Sequence, residues 1–151
     1  MSESPSTVNV TKLEVSRRQL HIAIELWFTG GDPTSIHTLA FASFEMIHAL
    51  CRKSDRTLGL PVDDAPGGFD PQVNEPLMVC CLIGLEALGE MPQPHELAFA
   101  RWAAIHRADL VAGKLTAWAI ATAAGDVERQ KALSKDKFLE EFARSAEGTV
   151  W

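Results

Sequence analysis

From Leu77 to Leu85 the chain reads Leu-Met-Val-Cys-Cys-Leu-Ile-Gly-Leu, without one charged side chain. The segment is opened by Asn74-Glu75-Pro76 and closed by Gly89, and through Leu88 it is apolar on nearly every face. A helix that is hydrophobic all round has no side to give to water, so it belongs at the centre of a fold. It is far shorter than the roughly 20 apolar residues a membrane span requires. The rest of the chain must therefore cover it.

The flanking segments carry the pattern of amphipathic helices. Thr11-Lys12-Leu13-Glu14 has the spacing of a capping box, in which hydroxyl and carboxylate each satisfy an amide at a helix start. Leu13, Ser16, Leu20, Ile24 and Trp27 follow three and four apart and predict one inward stripe. Glu14, Arg18, His21 and Glu25 predict the polar face opposite, and Gly30-Gly31 a stop. Asp32-Pro33 then reads as a cap and a first helical residue. It leads into a stripe of Ile36, Leu39, Ala40, Ser43, Ile47 and Leu50 that ends near Arg52-Lys53, cations suited to a helix C-terminus. Two helices joined this closely should be antiparallel neighbours.

Beyond the apolar segment, Pro92 and Pro94 punctuate the turn into a fourth helix over about Pro94 to Arg107, with Leu97, Ala98, Trp102 and Ile105 on one face. A fifth, small-residue helix is expected over Leu110 to Ala124. Gly125-Asp126 stops it and starts a short helix to Leu133; Ser134 then caps a last one with Phe138, Leu139 and Phe142 inward. Residues 1–10 read as a tail ahead of one helical domain over residues 11–151. Between the second and third helices, Ser54 to Val73 reads as a long loop rich in Gly, Pro and Asp. Its spacing does not place Asp or Asn at alternate positions with a glutamate at the twelfth, so it is not a calcium loop. No alternating strand pattern occurs. The fold class expected is all-α, a bundle of about five or six helices.

Composition removes several functions. A chain of 151 residues with 46% hydrophobic side chains can bury a core, and is too apolar to be disordered. The formal net charge of −6 and the scattered Lys and Arg work against binding phosphate backbones or anionic lipid. The first residues show no basic segment followed by an apolar one, so no secretory signal is expected and the setting reads as cytoplasmic. Cys51, Cys80 and Cys81 lack the C-x-x-C spacing of zinc ribbons or thiol redox sites and read as small buried hydrophobes. Phosphate-binding glycine motifs and a nucleophile elbow are absent from the sequence, which contains no tyrosine at all.

Three stretches carry a resemblance: Gly31 to Ala40, entered from Arg17-Arg18-Gln19-Leu20; Asn74 to Gly89; and Ala98 to His106. Together they resemble a family of small all-helical bacterial proteins with no established activity. The resemblance implies a helical fold and a bacterial cytoplasmic setting. It transfers no site residues, and the Lys-His-rich segment of that family is replaced here by the Gly/Pro/Asp loop.

Two constellations could carry chemistry. Glu45 and His48 form Glu-x-x-His, the spacing by which carboxylate-bridged bundles offer two ligands to one metal. A full site needs the motif twice, and it occurs once. His37 lies about 16 Å along the helix axis from His48 at 1.5 Å per residue, too far to share an ion. His21 and Glu25 could join such a cluster only if the first helix turned its polar face inward. The second constellation is Arg101 and His106, whose R-x4-H spacing resembles the short motif of helical-bundle ribonucleases of the HEPN type. That resemblance implies an Arg that holds a phosphate and a His that shuttles a proton. A small polar residue often follows that Arg, and here Trp102 does. His95-Glu96 is not a zinc-protease motif, because the second His would fall at Phe99; both read as first-turn decoration.

These readings favour a helical interaction or assembly module, a homodimer or a partner of another protein through apolar helix faces, over an enzyme. The alternatives are a HEPN-like ribonuclease or other helical-bundle hydrolase using Arg101 and His106, and a metal-binding bundle using Glu45 and His48. No cofactor, DNA or membrane is expected, and RNA is disfavoured by the charge.

Overall fold

The computed structural model describes residues 11–53, 71–111 and 127–147. Among them lie seven α-helices and no strand: α1 (Lys12–Phe28), α2 (Pro33–Lys53), α3 (Asn74–Ala87), α4 (Pro94–His106), α5 (Ala108–Val111), α6 (Val127–Ala132) and α7 (Lys135–Glu147). The fold is all-α, a helical bundle. No helix in the described residues is long and apolar enough to cross a membrane. The N-terminal tail, most of the 54–73 loop, most of the fifth predicted helix, Trp118 and Trp151 lie outside the described residues. The end of that loop is a 3-10 turn, Pro71–Val73, rather than irregular chain.

α1 begins as its sequence predicts. Thr11 Oγ1 accepts the amide of Glu14 at 3.1 Å, and Glu14 Oε1 accepts the amide of Thr11 at 3.2 Å. It ends where Gly30 takes φ +76°, a conformation that favours glycine, and the Gly31 amide returns to Leu26 O at 2.7 Å. α2 then packs back on α1 more extensively than any other pair of helices does. Its start is held by Asp32, whose Oδ2 accepts Ser35 N at 3.1 Å and Ser35 Oγ at 2.9 Å. Those two bonds, the hydroxyl's first, pull the Asp32 carboxyl below its ordinary value of 3.8.

A carboxyl depressed in the folded state stabilises the protein fully above its unfolded pKa, and that stabilisation disappears as pH falls through the folded value. Asp32→Ala should therefore melt at a lower temperature than wild type at pH 6, with the gap shrinking below pH ~3.8. Asp32→Asn keeps the cap without the titration and should narrow the gap at pH 6. Equal melting of Asp32→Ala and wild type at pH 6 would remove Asp32 from the helix start.

α3 is the central helix. Every residue from Leu77 to Leu85 is buried, against α2 first and then α1, α4 and α5. Asn74, the first residue of α3, does not cap its own helix. Its side chain crosses to the start of α2, donating from Nδ2 to Pro33 O at 3.2 Å and meeting His37 Nδ1 through Oδ1 at 3.1 Å. The three cysteines are buried thiols, as predicted. Cys51 Sγ donates to Gly84 O and Cys81 Sγ to Ala40 O, and burial pushes the Cys81 thiol pKa strongly upward.

Aromatic rings join α1, α4 and α7 within the core. Trp27 meets Phe28, Phe99 and Trp102 edge-on, with ring centroids 4.9, 5.2 and 4.4 Å away. Phe138 of α7, fully buried, stacks on Phe28 at 6.1 Å and fastens α7 to the bundle. Lys135 Nζ lies 3.8 Å over the Trp27 ring, a cation held on its negative face. Arg129 of α6 pairs with Glu141 of α7 at the surface through Nη2 and Oε1 at 2.5 Å.

Candidate functional site

Arg17 lies on the inward register of α1, at i+4 from Leu13 and i−3 from Leu20, and is buried there. A guanidinium removed from water must be paired and hydrogen-bonded on most of its donors. The α3–α4 turn and the start of α4 supply the partners. Arg17 Nε donates to Glu96 Oε2 at 3.0 Å, Nη2 bonds Glu96 Oε1, Nη1 donates to Glu90 Oε1 at 3.0 Å, and Nη2 also reaches Met91 O at 2.6 Å. The Glu96 side chain is 1% exposed and that of Arg17 10%, so this is an interior ion pair. Glu96 Oε1 also accepts the Gln93 amide at 2.9 Å and so caps α4. The expectation that Glu96 merely decorates a first turn is corrected: it does stand in the first turn, but as the buried acid that Arg17 requires.

This network roofs the α3–α4 turn and leaves a cleft beside it. Leu13, Arg17, His21 and Ile22 of α1 form one wall and Glu90 and Gln93 the other, around about 530 Å³. Two large apolar side chains in this neighbourhood face solvent, Ile22 at 47% and Met91 at 75% exposed. A second cleft of about 550 Å³ runs past Trp27, Ile36, Asn74 and Lys135.

One turn further along α1, His21 and Glu25 stand four residues apart on one face, with Nε2 and Oε1 separated by 3.9 Å. His95, the second residue of α4, brings its ring to 3.8 Å from that of His21, tilted by 44°. Donor atoms from His21, Glu25 and His95 all lie within 4.8 Å of one another. The polar face of α1 did not have to turn inward to form this cluster. The N-terminus of α4 comes alongside it, a position that α1's own pattern does not reveal.

The residues singled out from the sequence lie apart from one another. Arg101 is buried, not on the surface, and its Nε donates to Gln130 Oε1 of α6 at 3.0 Å; burial lowers the guanidinium pKa. His106, five residues on and therefore about 140° around the helix, is exposed and stacks on Trp102 at 5.1 Å. Partial burial of its ring, and after it the charge of Lys131, hold its pKa below the ordinary imidazole value of 6.5. Glu45 is exposed, while His48 leans on Phe44 at 5.4 Å with its Nδ1 buried. Among the described residues no third donor joins those two. His37 belongs to the Asn74 junction. The three histidines at positions 37, 48 and 106 thus have separate surroundings.

Compared with protein-family models, with curated proteins and with solved structures, the chain matches none. The resemblance drawn from Gly31 to Ala40, Asn74 to Gly89 and Ala98 to His106 gains no support from them.

Proposed function

We propose that the chain is a helical interaction module that self-associates through the surface formed by α1 and the α3–α4 turn. The observation that carries this reading is the exposure of two large apolar side chains, Ile22 on the wall of the first cleft and Met91 on the adjoining α3–α4 turn. Exposed apolar groups clustered beside a concavity are a feature of association surfaces. The Met91 backbone is tethered by Arg17, so its side chain is offered from a fixed turn at little ordering cost. Methionine then adapts its own shape to what it meets.

Sedimentation velocity of the wild-type chain at micromolar concentration should show a dimer. Ile22→Asp with Met91→Asp, both at solvent-facing positions, should weaken that association by at least about tenfold. A wild-type chain that stays monomeric up to millimolar concentration refutes the proposal.

RNA cleavage at Arg101 and His106 is less well supported. Phosphate capture needs the guanidinium at the surface, whereas here Gln130 engages it in the interior. Cleavage of RNA abolished by His106→Ala would reverse that ranking.

A further inference from the structure

We infer that His21, Glu25 and His95 form a binding site for one divalent first-row transition-metal ion of the zinc type. Two imidazoles and one carboxylate are the donor set that borderline ions prefer, whereas Mg²⁺ and Ca²⁺ take oxygen ligands. The three side chains come from two helices distant in sequence, α1 and the start of α4, and their donor atoms lie within 4.8 Å of one another. Metal–ligand bonds of about 2.0–2.2 Å place tetrahedral donors roughly 3.3–3.5 Å apart. The contraction required is on the order of 1 Å and falls to side chains with room to move. Glu25 is 56% exposed and His21 partly so, and the rings are already in contact.

The His21 Nε2 to Glu25 Oε1 separation of 3.9 Å is too long for a hydrogen bond. An ion between them would give the carboxylate and both imidazoles a common partner. The backbone under the site is fixed on both sides. His21 lies mid-helix, and His95 directly precedes Glu96, which Arg17 and the Gln93 amide hold in place. Three protein ligands leave a fourth position for water or another donor, the arrangement of an open zinc site.

The test is isothermal titration of the full chain, stripped with chelator, with ZnCl₂ and separately with MgCl₂. One Zn²⁺ per chain and no comparable heat from Mg²⁺ is expected. His21→Ala, His95→Ala and Glu25→Ala should each weaken Zn²⁺ binding by at least about tenfold. Glu45→Gln with His48→Ala should leave it unchanged. Glu25→Ala lies at an exposed position, so its effect is free of any failure to fold; far-ultraviolet dichroism checks the histidine variants. Co²⁺ loading should give visible bands without the near-ultraviolet thiolate charge transfer that cysteine ligation produces. Absence of Zn²⁺ binding by the wild type, binding that survives His21→Ala with His95→Ala, or a thiolate band would each overturn the site. The result is independent of the association reading, which sedimentation decides in the presence of chelator.

Discussion

Arg17→Ala should cost about 3–5 kcal/mol of folding stability, because it leaves Glu96 buried without its cation. The Glu96 carboxylate is 1% exposed, and both its oxygens are bonded by the guanidinium. The same substitution releases Glu90 and the Met91 carbonyl, so the α3–α4 turn loses its tether as well. Urea unfolding followed by circular dichroism measures the loss directly. Arg17→Met with Glu96→Leu removes both charges and should recover most of the stability, since a buried pair is often replaceable by apolar groups of similar size. A single-variant loss below about 1 kcal/mol would mean that water reaches Glu96 in place of Arg17.

Gly84→Ala should destabilise by about 1–3 kcal/mol, although alanine is the better helix former by about 1 kcal/mol. A Cβ built at position 84 would lie 2.4 Å from Ile47 Cγ2, and α3 and α2 would have to part to admit it. That methyl is the branch of a buried β-branched side chain, with little freedom to swing aside. Ile47→Ala in the same chain deletes the colliding methyl, so the double variant should lose less than the sum of the two single variants. Additive losses in thermal or urea unfolding would show that the two helices are not in contact there.

The local architecture was legible because each element's start, stop and facing are written in residues close together. The Thr11–Glu14 box, the stop at Gly30, the cap at Asp32 and the burial of Leu77 to Leu85 all follow from spacing within one or two turns. The inward placement of Leu20, Ile24, Ile36, Ile47 and Phe138 follows in the same way. Arg17 was legible in principle and was missed. A basic residue at a core register demands an acid from elsewhere, and scanning the predicted stripes for charges in their register would have raised the question. Its answer, Glu96, lies 79 residues away and could not have been found by spacing.

The candidate sites show the same division. Spacing along one helix joined Glu45 to His48 and Arg101 to His106, yet no third donor joins the first pair among the described residues, and the second pair faces different surroundings. The cluster that does assemble draws on α1 and α4 together. His95 looked unremarkable because its partners are not its sequence neighbours.

Thus the amino-acid sequence on its own determined that the chain is helical, where most of its helices begin and end, and which one is innermost. Those properties come from backbone capping and hydrophobic periodicity, which act over a few residues. Tertiary structure alone decided that Arg17 meets Glu96, that Gly84 gives room to Ile47, and that His95 comes beside His21 and Glu25. Such pairings depend on how finished helices cross, and the crossing is set by the shapes of whole faces rather than by the identity of any one residue.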